Sequence, residues 1–146
     1  MQELGLVLPS PPQAGGNYVP AKTVVGVVYL AGVISTGPDG IITGTVGQNR
    51  SVEEAKAAAK CCALTQLAVL QHHLGSLDAV KQIISLNGYV NAVAGFAESP
   101  QVINGASDLL VQVFGDAGRH VRAAVGVSAL PRNALVELQM IVEVGA

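Results

Sequence analysis

The chain reads as a two-layer α+β sandwich, a mixed sheet with two helices on one face. Three observations predict it. Apolar runs rich in β-branched residues recur along the chain, helical segments with recognisable start and stop signals stand between them, and the resulting order is β-(β)-α-β-α-β-β. With 146 residues, the chain is read as one domain, residues 1–146, long enough to bury a hydrophobic core.

Residues 1–17 and the few that follow carry Pro9, Pro11, Pro12, Gly15, Gly16 and Pro20, and are expected to form an irregular N-terminal arm. Thr23 to Ile34 is a near-continuous apolar run whose β-branched residues and glycines favour a strand over a helix. Gly37-Pro38-Asp39-Gly40 reads as a turn and Ile41 to Thr45 as a short strand. Ser51 and Glu54 have capping-box spacing, opening a helix that runs to about Leu74 and stops at Gly75. Ala59, Ala63, Leu67, Leu70 and Leu74 form its core stripe. Val80 to Asn91 reads as a strand with a bulge at Asn87-Gly88. Ser99, as N-cap before Pro100, opens a second helix that ends at Gly115.

Two C-terminal strands follow, Val121 to Val127 and Ala134 to Val142, each with one charge in its middle. Alternation puts Val121, Ala123, Val125 and Val127 on one side, expected to be the core face. Arg122 then points the other way beside Ala124 and Gly126. An arginine flanked by a methyl and a hydrogen has space in front of it, and a planar cation over a small hollow suits a carboxylate. Glu137, expected on the adjacent strand, could instead form a partly buried ion pair with it, and both roles can coexist in an empty site.

Half of the residues are hydrophobic and only 12% are charged, against a guideline of roughly a quarter or more on a soluble surface. The run at Thr23 to Ile34 is apolar on both sides, so the sheet face away from the helices is expected to pack against other copies of the chain. A net charge of −2 with eight dispersed basic residues leaves no footprint for nucleic acid, and the scarcity of aromatic residues leaves little for base stacking. No basic n-region with an apolar h-region opens the chain and no 18-residue apolar stretch runs without polar interruption, so no membrane association and a cytoplasmic location are expected. Cys61 and Cys62 are neighbours on a helix, poorly placed to bridge, and read as reduced thiols. His72, His73 and His120 lack metal-ligand spacing and read as surface residues; no metal or cofactor is expected. Ser35, Ser107 and Ser128 lack a nucleophile-elbow context, so no triad is expected.

Asn17-Tyr18, Leu30-Ala31-Gly32, Ile103-Asn104, and Arg122-Ala-Ala-Val-Gly-Val-Ser-Ala-Leu-Pro131 followed by Val136-Glu137-Leu138 resemble the YjgF/RidA superfamily from about Tyr18 to Val144. Gly118-Arg119-His120-Val121-Arg122 and Ile103 to Asp108 look like its endoribonuclease L-PSP-like branch. The resemblance implies a chorismate-mutase-like fold, a homotrimer with clefts between subunits, and hydrolysis of reactive enamines and imines of small carboxylic acids to keto acids and ammonia. A non-catalytic trimeric metabolite-binding protein is the alternative, and a ribonuclease is less favoured by charge. By position, Arg122 matches the arginine that grips the substrate carboxylate, and Glu137 the glutamate that holds the attacking water. Tyr18, Ala31, Gly32, Asn104 and Ala124 match other cleft positions. The family's deaminases usually carry a hydroxyl residue where Ala31 stands, and Cys or Thr where Ala124 stands, so the polar lining here is thinner and leaves room for a bulkier acid. Gly105 beside Asn104 is read either as close approach of backbone at the cleft or as tight helix–sheet packing. Arg119 is read as solvated or as added positive potential near the site.

Overall fold

The computed structural model describes residues 5–145. Its strands are β1 (Ala21–Val24), β2 (Val27–Leu30), β3 (Val33–Ile34), β4 (Thr36–Gly37), β5 (Gly40–Ile41), β6 (Val80–Asn91), β7 (Val121–Val127) and β8 (Val136–Val144). Its helices are α1 (Val52–Leu74), between β5 and β6, and α2 (Ser99–Phe114), between β6 and β7. The main sheet runs β1-β2-β8-β6-β7, with β3 also pairing with β8. Every pairing is antiparallel except β6 with β7, which the α2 crossover makes parallel. The expected α+β sandwich with both helices on one sheet face is what forms. The first four residues of the N-terminal arm lie outside the described residues.

The start of α1 is set locally. Glu54 N–H donates to Ser51 Oγ while the Glu54 carboxylate accepts from Ser51 N–H, and Gly75 closes the helix in the left-handed region at φ 84°. Ala55, Ala58, Ala59, Cys62, Ala63, Leu67 and Leu70 are buried along its inner face. The alternate residues Val136, Leu138, Met140, Val142 and Val144 of β8 are buried as well, with Ile83, Leu86 and Val90 of β6. These apolar side chains form the single core between helices and sheet.

Five local expectations are corrected. The run from Thr23 to Ile34 is not one strand but a hairpin, because Val25 and Gly26 both take positive φ (42° and 76°), as a tight two-residue turn requires. Ile41 to Thr45 does not form a strand of its own: β5 is Gly40–Ile41, and Thr43 makes an isolated bridge to Ala134. The irregularities of β6 fall near Lys81 and Ile84, not at Asn87-Gly88; Gly88 instead makes room for Ile103 of α2. Helix α2 includes Ser99, Glu98 stands at its cap without a side-chain bond, and the buried Ser99 hydroxyl has no partner among the described residues.

The fifth correction concerns the faces of β7. Arg122 is in register with Leu86 and Gly126 with Val90, both of which are buried in the core. Arg122, Ala124 and Gly126 therefore lie on the helix side, facing α2. Val121 and Val125 lie on the opposite face, 71% and 46% exposed. Tyr29 of β2, paired with Ile141, lies on that same outer face and is 49% exposed.

Candidate active site

Arg122 reaches from β7 to α2. Its Nη1 donates to Asn104 Oδ1 at 2.7 Å and to Ser107 Oγ at 3.0 Å, and its Nη2 donates to the Pro100 carbonyl at 3.2 Å. Asn104 and Ser107 are one turn apart on α2 and so face the same way. The Nε proton and one Nη2 proton remain without partners among the described residues, so the guanidinium is fixed in place with donors to spare. Ala124 is half-buried against the core next to it.

Glu137 lies elsewhere. It is in register with Tyr89 of β6 and with Ile34 of β3, on the outer sheet face. Its carboxylate makes no hydrogen bond or ion pair among the described residues, and burial lifts its pKa above the ordinary glutamate value. Gly32 lies directly against it: a Cβ there would stand 2.6 Å from Glu137 Oε2. Tyr18, 52% exposed, folds back on its own arm, with its Oη accepting from the Gly15 N–H at 3.0 Å. Tyr18, Gly32 and Glu137 line one open cleft of about 950 Å³, whose far wall includes Leu8, Pro12 and Leu64. The N-terminal arm is irregular, as expected, but it forms a wall of this cleft. Ala31 stands behind it, its carbonyl accepting from Gln66 Nε2 at 2.9 Å.

The expected adjacency of Arg122 and Glu137 does not hold. Strand β6 separates β7 from β8, and through Leu86 the register aligns Arg122 with Met140, three residues beyond Glu137. Strand spacing and rise alone separate the two by roughly 14 Å, and they face opposite sides of the sheet. One chain thus carries two separate clusters: Arg122 with Asn104 and Ser107, and Glu137 with Tyr18 and Gly32.

Gly105 is explained by packing against α1: a Cβ there would collide with the Lys56 carbonyl, so the close contact is helix to helix rather than helix to sheet. Arg119 is exposed and pairs with Asp116 at 3.3 Å. His73 Nε2 lies 2.7 Å from Thr23 Oγ1. Cys61 and Cys62 are unbridged, and desolvation pushes both thiols up, that of the fully buried Cys62 well above the usual range. Among the described residues no group of three or more His, Cys, Asp and Glu side chains could hold a metal ion, and no helix is long and apolar enough to cross a membrane.

Two residues read from the sequence as unremarkable join the Arg122 cluster. Ser107 shares a helix face with Asn104, and His120 stands two residues before Arg122. A hydrogen bond between them ties both to the guanidinium. The i, i+3 spacing of Asn104 and Ser107 was the available signal.

Two helices on one face of a mixed sheet, with an arginine and a glutamate on separate strand faces, define a chorismate-mutase-like α+β protein. The family model described as "YjgF/chorismate_mutase-like, putative endoribonuclease" matches residues 1–144. The chain belongs to the YjgF/RidA superfamily. It is 41% identical over 145 residues to protein TCP17 of Trypanosoma cruzi, covering 98% of this chain and 91% of that protein. The crystal structure of Atu1372 from Agrobacterium tumefaciens, a protein of unknown function, is 41% identical and superposes with a TM-score of 0.90, over 99% of this chain and 89% of that one. A "putative endoribonuclease" from Shewanella oneidensis is 33% identical with a TM-score of 0.93, over 98% and 95%. RidA from an Antarctic Psychrobacter, at 24% identity and a TM-score of 0.63 over 92% and 94%, shares the fold.

Proposed function

We propose that the protein hydrolyses reactive enamine and imine intermediates of small carboxylic acids to keto acids and ammonia, in clefts formed where two subunits of a homotrimer meet. The observation that carries this reading is the pair of incomplete half-sites. Among the described residues Arg122 is held with two N–H donors unspent, and Glu137 is a half-buried carboxylate with no partner, on the opposite face of the same sheet. Neither half can complete the other within one chain, so a second chain supplies the missing half. The apolar outer face bearing Tyr29, Val121 and Val125 supports such assembly.

The chemistry asks for little. Arg122 fixes the substrate carboxylate through a two-point contact. Glu137, with its proton affinity raised by burial, accepts a proton from the attacking water and returns it to the departing nitrogen. Acid–base help of this kind is worth ~10²–10⁴-fold in rate. Tyr18 and Gly32 border the carboxylate, and Asn104 orients the arginine. Ala31 and Ala124 leave the lining less polar, which favours an acid larger than 2-aminoacrylate.

The test couples an amino-acid oxidase, which generates imines, to keto-acid release. Faster release with the protein than without it, lost in Arg122→Ala, is the expected result. Release equal to the no-protein control for several amino acids overturns the reading. The thin polar lining at Ala31 and Ala124 favours a second reading, a trimer that binds a keto acid without turning it over; thermal stabilisation by pyruvate or benzoate with no turnover would identify it. The ribonuclease name borne by a relative fits poorly with a net charge of −2.

A further inference from the structure

Ser107 lies in the middle of α2, half-buried, with its Oγ 2.9 Å from His120 Nε2. His120 Nδ1 lies 2.6 Å from the Gly118 carbonyl oxygen, and Arg122 Nη1 lies 3.0 Å from the same Ser107 Oγ. The proton positions follow from what each end can do. A guanidinium only donates, so Ser107 Oγ accepts from Arg122. A backbone carbonyl only accepts, so Nδ1 carries the proton of the neutral ring and Nε2 presents its lone pair. The Ser107 proton is therefore aimed at Nε2.

This is a hydroxyl, a base, and a third group that holds the base in its tautomer, the arrangement that activates a nucleophile. The orienting group is rigid: Gly118 is buried, and a Cβ there would run into the Leu110 carbonyl. The Arg122 charge against Ser107 Oγ favours its ionised form. Because Arg122 can face only the oxygen of the Asn104 amide, the Asn104 nitrogen is turned away from it and, unpartnered among the described residues, can donate to a developing oxyanion.

We propose that Ser107 is a nucleophile, with His120 as its general base, for acyl transfer from small esters whose acid portion carries a second carboxylate for Arg122. Ser107 Oγ bonds to the acyl carbon as its proton passes to His120 Nε2. The ester C–O bond breaks, and that proton goes to the leaving alkoxide. Water then cleaves the acyl-serine, giving one proton to His120, which returns it to Ser107. None of these steps involves Glu137 or an imine; the grip of Arg122 on a carboxylate is shared with the hydrolysis proposed above and rests on that reading, whereas labelling of Ser107 by an uncharged reagent does not need it.

The test treats the full chain with a fluorophosphonate and maps the adduct by peptide mass spectrometry, then measures hydrolysis of the 4-nitrophenyl half-ester of succinic acid. Expected are one adduct, on Ser107; no adduct there in Ser107→Ala; and labelling slowed ~10²–10⁴-fold in His120→Ala with recovery on adding imidazole, a rescue that a purely structural role would not permit. Arg122→Lys should slow the half-ester at least tenfold more than it slows uncharged 4-nitrophenyl acetate, and equal slowing of the two esters would overturn the carboxylate contact. No wild-type adduct, an adduct on another residue, or labelling of a folded His120→Ala at the wild-type rate overturns the proposal. Should His120→Ala fail to fold, the wild-type adduct site and the same rate comparison in His120→Gln decide it.

Discussion

Gly32→Ala tests whether catalysis depends on where the Glu137 carboxylate sits. The new Cβ would stand 2.6 Å from Glu137 Oε2, so the oxygen must retreat by about 0.8 Å to restore an ordinary 3.4 Å contact. It can do so because it ends a flexible side chain that no hydrogen bond restrains among the described residues. The folding cost is therefore small. Gly32 does not adopt positive φ, and replacing glycine by alanine at a compatible site gains ~0.4–1 kcal/mol through the unfolded chain. For a protein of this size that confines the change in Tm to about 4 °C in either direction. Catalysis is less tolerant, since a misplacement of about 1 Å can cost ~10²-fold. The expected outcome in the oxidase-coupled assay is kcat/KM lowered ~10–100-fold, or about 1.4–2.7 kcal/mol of transition-state stabilisation. Activity within twofold of wild type would refute a role for the Glu137 position. A fall in Tm beyond about 8 °C would refute the claim that the carboxylate yields freely.

Other expectations follow from the same geometry. Gly105→Ala meets a backbone carbonyl, that of Lys56, rather than a side-chain tip; overpacking should cost about 2 kcal/mol, seen as a Tm lower by about 4–8 °C. Burial raises the Glu137 pKa in the folded state, which makes its ionised form a destabilising one. That penalty is absent below the unfolded-state pKa and grows as pH rises through the raised folded value. Glu137→Gln should therefore gain on wild type in urea melts between pH 4 and 7, and a pH-independent difference would contradict this. Arg122→Lys keeps the charge but loses the planar fork, so stabilisation by pyruvate or benzoate in thermal shift should require at least tenfold more ligand. Val121→Asp with Val125→Asp places charge on the exposed outer face; light scattering should report monomers for this variant and a trimer for wild type.

Where short-range chemistry decides an element, the sequence was a sufficient guide. Ser51, Glu54 and Gly75 mark both ends of α1, and Val80 to Asn91 is a strand with those bounds in the fold. The N-terminal proline and glycine cluster is irregular. Family membership was legible in the residues from Arg122 to Leu138, because a strand, a turn and a second strand each left residues at characteristic spacing. The Thr23–Ile34 run misled because a valine at positive φ, Val25, carries no turn signature of its own.

The placement of the site needed tertiary information. Alternation along Val121 to Val127 divides the strand into two faces but does not say which meets the helices; that depends on the register with β6, where Gly88 lies under Ile103 of α2 with no room for a Cβ. Residue types at Arg122 and Glu137 were readable from the sequence, yet their separation follows from β6 inserting between their strands, a long-range choice that local pattern does not encode. The link between Ser107 and His120 likewise exists only because the parallel crossover returns β7 beside α2. Local signals act over a turn or a few residues, whereas strand order and side-chain meeting points are set by how the whole core closes.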